Sequence, residues 1–288
     1  MKNIKGTILY FMMFAMLVAS CKQKKKDENL EGELKIYADT NLAVLLDQFI
    51  PVFENIYPNI QIKFVYKYED EILQDYFDNK TDNIILSRRL SENEVAYANQ
   101  HKASESSQFT FAYDAIAVFT NKNNQDSIFN TSKYTTYQMV FDNSKSGIAK
   151  VVMPDTIQKV AANLIQNFKD MQSFIVTNQA IGFVQFSNIS NKNIRETNDF
   201  YNQYKLLKVK SGQDVFELNQ EAIFQSSYPF MRQLTIISTQ SMTSKQKLFS
   251  RFLFKSRASK LILHHGIVPA KIPSIEINMI DRNFQVEP

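Results

Sequence analysis

Short apolar runs alternate with amphipathic stretches along the first half of the chain. Residues 34–38 predict a strand. Four apolar residues then follow at helical spacing, Leu42, Leu45, Leu46 and Phe49. Thr40 or Asn41 is placed to cap this helix, and Pro51 is expected to kink it or to start a new turn.

The same alternation continues to residue 119. Three further strands are predicted, over 60–66, 83–86 and 115–119. Residues 68–77 predict a helix, and Ser91 with Glu94 three residues later has the spacing of a capping box at the start of another. This order of strands and helices predicts an α/β fold, with a mostly parallel sheet that carries helices on both faces.

Ligands of such sheets bind beyond the carboxyl ends of the strands. Three polar segments fall at predicted strand ends, namely 39–41, 87–88 and Asp114. We therefore expect a binding site where these segments meet.

The N-terminus carries a separate apolar segment. Two lysines precede an apolar run over 8–18, which is typical of a signal peptide and too short to span a bilayer. Ala19 and Ser20 follow, directly before Cys21, the one cysteine of the chain. Small residues before a cysteine resemble the cleavage site of bacterial lipoproteins.

We therefore predict a lipoprotein signal peptide over 1–20 and a lipidated Cys21 as the first residue of the mature chain. The protein would then be anchored to a membrane of the cell envelope, facing the periplasm or the cell surface. The alternative is an ordinary signal peptide followed by an incidental cysteine. A single cysteine allows no disulfide within the chain.

The net charge of +4 arises at the N-terminus. The first 26 residues contain six lysines and no acid, so the remainder carries 4 − 6 = −2. Residues 21–33 are polar and predict a flexible tether. Its lysines either lie beside lipid headgroups or are simply solvated. Because the folded part is not basic, no nucleic-acid partner is predicted.

Other charged clusters indicate structure rather than chemistry. The acidic residues over 69–78 lack the spacing of a metal-binding loop and predict a solvated helix face. His264 and His265 are adjacent on a predicted helix that Gly266 ends, so they cannot share a metal. No serine lies in a nucleophile elbow and no free cysteine remains. We predict no metal site, no cofactor and no enzymatic activity.

Seven segments resemble one known family. They are LKIYADTNLAVLLDQF from residue 34, VFENIYPNIQI from 52, ILSRRLSENE from 85, FAYDAIAVFTNKNNQDS from 111, QAIGFVQFS from 179, YPFMRQLTII from 228 and LILHHGIVPAKIP from 261. In this order they resemble the phosphate-type periplasmic substrate-binding proteins of ABC importers, specifically the lipid-anchored Gram-negative branch.

The resemblance implies a type II periplasmic-binding-protein fold, in which two α/β lobes are joined by two crossing strands and a ligand cleft lies between them. Lobe 1 would comprise 34–119 and 234–288, and lobe 2 would comprise 120–233. The crossing strands would fall within 113–121 and 231–238. Polar groups of both lobes would close on one anion.

The resemblance also implies ligand-binding residues. Thr40 and Asn41 would hold the anion with a hydroxyl and backbone N–H groups, or would simply cap the helix. Ser87 and Arg88 match a Ser-Arg turn, where the serine donates and the arginine neutralises the anion or orders the turn. Asp114 matches an aspartate that accepts a hydrogen bond from a protonated oxyanion and repels a fully ionised one.

The second lobe departs from the family pattern. Family members carry an anion-binding loop rich in Ser, Gly and Thr, and two segments could correspond to it. Residues 142–147 match by letters, whereas Thr156 lies between a predicted strand and a predicted helix and is favoured by position. Asp155 beside Thr156 would repel a phosphate.

Two functions therefore stay open. The first is a solute-binding lipoprotein that delivers phosphate or a similar small anion to an ABC permease. The second is a degenerate binding-protein fold that serves as an interaction module of the cell envelope, with its cleft filled by side chains.

Overall fold

The computed structural model describes residues 30–102, 105–131, 181–191, 193, 195–239 and 243–272. The predicted signal peptide, Cys21, most of the tether and both candidate second-lobe segments, including Thr156, lie outside the described residues.

The described strands are β1 (Gly32–Asp39), β2 (Ile60–Lys67), β3 (Asn83–Leu86), β4 (Ser106–Asn121), β5 (Ile128–Asn130), β6 (Ile181–Gln185), β7 (Tyr204–Leu206), β8 (Lys208–Ser211), β9 (Asp214–Phe216), β10 (Met231–Thr239) and β11 (Val268–Pro269). The described helices are α1 (Ala43–Leu46), α2 (Phe49–Ile56), α3 (Glu69–Phe77), α4 (Glu92–His101), α5 (Phe186–Ile189), α6 (Arg195–Gln203), α7 (Gln220–Phe224), α8 (Ser244–Leu253) and α9 (Ser256–His264). A 3₁₀ turn, Thr40–Leu42, precedes α1. Within these described ranges, no helix has the length and apolarity needed to cross a membrane.

The main sheet is mixed. Strands β2, β1 and β3 lie side by side in parallel, as the alternation of strands and helices predicts. The next strands, β10 and β4, are antiparallel to their neighbours, as are β11, β6 and β7 where they pair with β4. The prediction of a mostly parallel sheet is therefore wrong beyond the first three strands. The reason is that the chain crosses the molecule on β4 and returns beside it on β10.

Strand β4 is the longest element, with 16 residues. Its first part, from Ser106 to Ala115, pairs with β10. From Ile116 onward it pairs with β6 and β7 instead. The predicted strand over 115–119 is thus part of a longer strand that changes partners midway, between Ala115 and Ile116 and close to Asp114.

The predicted helix after β1 is divided into two. Helix α1 ends at Leu46 and α2 begins at Phe49. Pro51 lies in the first turn of α2, where its missing N–H leaves no hydrogen bond unmade.

Neither Thr40 nor Asn41 is the cap. The 3₁₀ turn begins at Thr40, so the cap falls one residue earlier, on Asp39.

Helices cover both faces of the sheet. On one face, Phe49 and Phe53 of α2 make edge-to-face contacts with Phe249 and Phe252 of α8, with ring centroids 5.4–5.9 Å apart. On the other face, α3 and α4 bury a second cluster, which includes Tyr76 and Ala98. The capping box predicted for α4 is confirmed. The Glu94 N–H donates to Ser91 Oγ at 3.3 Å, and the Ser91 N–H donates to Glu94 Oε2 at 2.7 Å.

Gly266 ends α9 as predicted and joins it to β11. Its φ is +66°, and a Cβ added there would lie 2.7 Å from Ser190 Cβ of the turn after α5. Gly212 has a similar φ of +62° but has no described heavy atom within 4 Å of the position of an added Cβ. The two glycines therefore share a backbone conformation and differ in the space around it.

We expect Gly266→Ala to destabilise the protein by about 2 kcal/mol or more, and Gly212→Ala by about 1 kcal/mol. Both variants adopt an unfavourable φ, whereas only Gly266→Ala must also displace the neighbouring turn. Denaturant unfolding of both variants measures the difference. Equal losses would show that the contact with Ser190 is not restrictive.

Candidate functional site

The carboxyl ends of β1 and β3 meet at a buried carboxylate. Asp39, the last residue of β1, is fully buried. Its Oδ1 accepts hydrogen bonds from the backbone N–H and the side-chain Nδ2 of Asn41, both at 3.0 Å. Its Oδ2 accepts a hydrogen bond from Ser87 Oγ at 3.0 Å. Ser87 directly follows β3 and is also buried, so one carboxylate joins two strand ends.

A second buried carboxylate lies where β4 changes partners. Asp114 Oδ1 accepts hydrogen bonds from the backbone N–H groups of Ala115 at 2.7 Å and Ser187 at 3.1 Å. Asp114 Oδ2 accepts from Ser187 Oγ at 2.7 Å. Burial raises the pKa of Asp114, while these donors and the positive charge of Arg232 oppose the rise. Asp114 thus ties α5, which follows β6, to β4.

Arg232 supplies positive charge beside both carboxylates. It is the direct cross-strand partner of Asp114 in the pairing of β10 with β4. Burial lowers the pKa of Arg232, and attraction to Asp39 and Asp114 opposes this change. When the Gln185 amide is oriented to satisfy both of its atoms, its oxygen accepts from Arg232 Nη1 at 2.9 Å. The guanidinium therefore connects β10 with the end of β6.

The carbonyl of Asn41 links the end of β1 to the same region. In that orientation Gln185 donates to Asn41 O at 3.1 Å, and Asn188 Nδ2 donates to it at 3.3 Å. Among the described residues, the buried Asn188 Oδ1 has no hydrogen-bond partner. Polar groups from β1, β3, β4, β6, α5 and β10 thus form one network.

Arg88 belongs to a different cluster. Its Nε donates to Glu69 Oε1 at 2.6 Å, and its two terminal nitrogens donate to the carboxylate of Glu94 at 2.7 and 2.8 Å. The hydrogen bonds that Arg88 donates to Glu94 raise the pKa of Arg88 and lower the pKa of Glu94 to about 2. The arginine therefore fixes the turn after β3 against α3 and α4.

Comparison with known proteins identifies the family. The model of the PBP superfamily domain, the periplasmic binding proteins, matches residues 25–257. This match covers most of the 288 residues.

The chain belongs to the PBP superfamily.

Solved structures of periplasmic binding proteins share its fold. A putative phosphate ABC transporter substrate-binding protein from Clostridium perfringens, solved with bound phosphate, matches with a TM-score of 0.59 and 15% identity, over 83% of this chain and 100% of that one. An ABC-type phosphate transport receptor from Vibrio cholerae matches with a TM-score of 0.59 and 16% identity, over the same shares. A possible phosphate binding protein from Planctomyces limnophilus has a TM-score of 0.54 and 14% identity, over 84% of this chain and 94% of that one. No curated protein matches the chain.

The predicted fold class, α/β with a type II periplasmic-binding-protein fold, is confirmed. The lobe boundaries stay predictions. In this PBP-superfamily member β4 and β10 correspond to the predicted crossing strands, and the network of Asp39, Asp114 and Arg232 lies where β4 exchanges β10 for β6.

The structure brings together three of the predicted ligand residues, Asn41, Ser87 and Asp114. Thr40 is half-buried at the start of the turn between Asp39 and Asn41, and its hydroxyl has no hydrogen-bond partner among the described residues. Arg88 is held apart in its own ion-pair cluster, so a direct contact with a ligand stays a prediction.

Sequence reasoning missed five members of the network, Asp39, Gln185, Ser187, Asn188 and Arg232. Four of them lie within or beside segments that carried the family resemblance, QAIGFVQFS and YPFMRQLTII. Asp39 lies within the resemblance segment LKIYADTNLAVLLDQF and in the segment 39–41 of the expected binding site, but its carboxylate was given no role. Each of these segments lies beside a strand, and that position was the available signal. Which residues of the segments meet depends on the register of β4 with β10 and β6.

We expect Glu94→Gln to destabilise the protein by about 1–2 kcal/mol at pH 7, because it removes a charged partner of Arg88. The pKa of Glu94 is lowered in the folded state, so its contribution is present above the unfolded value of 4.5 and is lost as pH falls toward 2. Denaturant unfolding from pH 7 to pH 2 should show the gap between wild type and variant closing.

Glu92→Gln is the matched control, because Glu92 lies in the same first turn of α4 and is exposed. A gap for Glu94→Gln that stays constant over this pH range would contradict the assignment of the ion pair as its cause.

Proposed function

We propose that this chain is an extracytoplasmic solute-binding protein that binds phosphate or a similar small oxyanion in its cleft and delivers it to an ABC permease. The observation that carries the proposal is the convergence of hydroxyl, amide and guanidinium groups beside the point where β4 exchanges β10 for β6. Asn41 and Ser87 donate to Asp39, Ser187 donates to Asp114, and Arg232 is attracted to both carboxylates.

The two carboxylates restrict which anion fits. Asp39 and Asp114 are both fully buried and flank one arginine, so a fully ionised oxyanion meets repulsion. A protonated oxyanion can turn an O–H toward a carboxylate and avoid that cost. This favours phosphate over sulfate, in keeping with the phosphate-binding descriptions of the Clostridium perfringens and Vibrio cholerae proteins.

The membrane anchor is part of the same proposal. Lipid on Cys21 would hold the domain at the membrane that contains the permease, and the polar tether over 22–33 would let it reach that partner. The apolar run and small residues before Cys21 support this assignment.

One observation favours the second candidate, an interaction module of the envelope. The donors at the ends of β1 and β3 are already used within the protein, since Ser87 and Asn41 both donate to Asp39. Arg88 is likewise paired with two carboxylates. A cleft satisfied by its own side chains can serve as a surface without a ligand.

A thermal-shift series on the purified mature chain tests the choice. With phosphate at about a hundredfold excess over its Kd, stabilisation of about 2.7 kcal/mol is expected, which raises Tm by roughly 5 °C or more. Sulfate, molybdate and small carboxylates should shift Tm less than phosphate does. An unchanged Tm with every anion would favour the interaction module, and an equal shift with sulfate would remove the selectivity argument.

Cys21→Ala tests the anchor. We expect the precursor to stay uncleaved or to yield an unlipidated form, because the thiol of Cys21 is the one group that can accept the lipid. Metabolic labelling with palmitate should mark the wild type and leave the variant unlabelled. Equal labelling of both would show that the lipoprotein assignment is wrong.

A further inference from the structure

We propose that the carboxylate of Asp39 competes with the anionic group of the ligand for the same hydrogen-bond donors. This competition sets the affinity of the cleft for oxyanions. The inference rests on the proposed solute-binding function and adds a determinant of its strength. It assigns a role to the carboxylate of Asp39, which lies in the segment 39–41 of the expected binding site but was given no role of its own.

The carboxylate of Asp39 takes the hydrogen bonds that an oxyanion would need. Three donors reach it, all at 3.0 Å, from the Asn41 N–H, Asn41 Nδ2 and Ser87 Oγ. A backbone N–H and a hydroxyl each have one proton to give. While Ser87 and the Asn41 backbone donate to Asp39, they have no proton left for a ligand.

Burial makes this arrangement persistent. Asp39 is 0% exposed and Ser87 is 1% exposed, so water does not replace their hydrogen bond. Removing the donors would leave a buried carboxylate unsatisfied, which is strongly unfavourable. A ligand must therefore compete with Asp39 for these two groups.

The charges act in the same direction. Arg232 is attracted to two acidic side chains, Asp39 and Asp114, so its positive charge is already engaged by the protein. The nearby positive charge of Arg88 is paired with Glu69 and Glu94. An anion that enters is repelled by the Asp39 carboxylate, and loss of the Asp39 charge would remove that repulsion.

Asp39→Asn removes the negative charge and keeps the size and shape of the side chain. The amide oxygen can still accept from the Asn41 N–H, and the amide nitrogen can donate to Ser87 Oγ, which frees the serine proton. Isothermal titration of the full mature chain with inorganic phosphate at pH 7 is expected to give a Kd roughly tenfold lower for D39N than for the wild type.

Two controls isolate the effect. Asp47→Asn removes the same charge from an exposed residue whose carboxylate accepts from Tyr66 at 2.6 Å, and its Kd should stay within about twofold of wild type. Asp39→Glu keeps the charge at the same position and should gain no affinity. A gain with D47N or D39E equal to that with D39N would overturn the proposal.

A folded D39N variant with an unchanged or higher Kd would also overturn it. Asp39→Ser provides a second uncharged variant, with the same gain expected, and thermal melting establishes that each protein is folded. If neither uncharged variant melts cooperatively, Asp39 is a structural residue and the competitor role is rejected.

The outcomes distinguish this inference from the proposed function. Phosphate binding by D39N without detectable binding by wild type would support the competitor and remove phosphate as the native ligand. Binding by wild type that is not improved in D39N would leave the proposed function standing and reject the competitor. Absence of binding in both proteins rejects both.

Discussion

The structure depends on how two buried carboxylates are satisfied at the crossover of β4. Asp39 lies at the end of β1 and Asp114 lies within β4, and each accepts three hydrogen bonds from the protein. Buried charge is tolerated only when it is paired and fully hydrogen-bonded. Arg232 lies opposite Asp114 and meets this need. The pairing of β10 with β4 therefore also fixes the position of the positive charge relative to Asp114.

This constraint explains why the candidate site and the crossing strands coincide. Strand β4 leaves β10 after Ala115 and pairs with β6 from Ile116, so it carries Asp114 to the turn that contains Ser187. The same donors stabilise the junction and include Asn41 and Ser87, which are predicted ligand residues. A change at this site is therefore expected to affect binding and stability together, which is why matched variants are needed to separate them.

The neighbouring cluster around Arg88 also pairs its charges within the protein, at a more exposed position. Glu69 and Glu94 come from two helices, and together they neutralise one guanidinium after β3. An arginine that follows a strand end is ambiguous in sequence, since it suits either an anion or a structural ion pair. The acidic residues of α3 and α4 form the ion pair, because they reach the guanidinium directly, and a contact of Arg88 with a ligand stays a prediction.

The sequence by itself determined the local elements. Apolar periodicity and the Ser91–Glu94 spacing were enough for β1, β2, β3, α3 and α4, because these signals act over a few residues. It also determined that polar groups would lie at the ends of β1 and β3. The resemblance located the crossing strands within 113–121 and 231–238. Tertiary structure alone decided the register of β4 against β10, the pairing of Asp114 with Arg232 and the hydrogen bond from Ser87 to Asp39. These contacts join residues 48 or more positions apart, and their register is set by packing of the whole sheet rather than by local pattern.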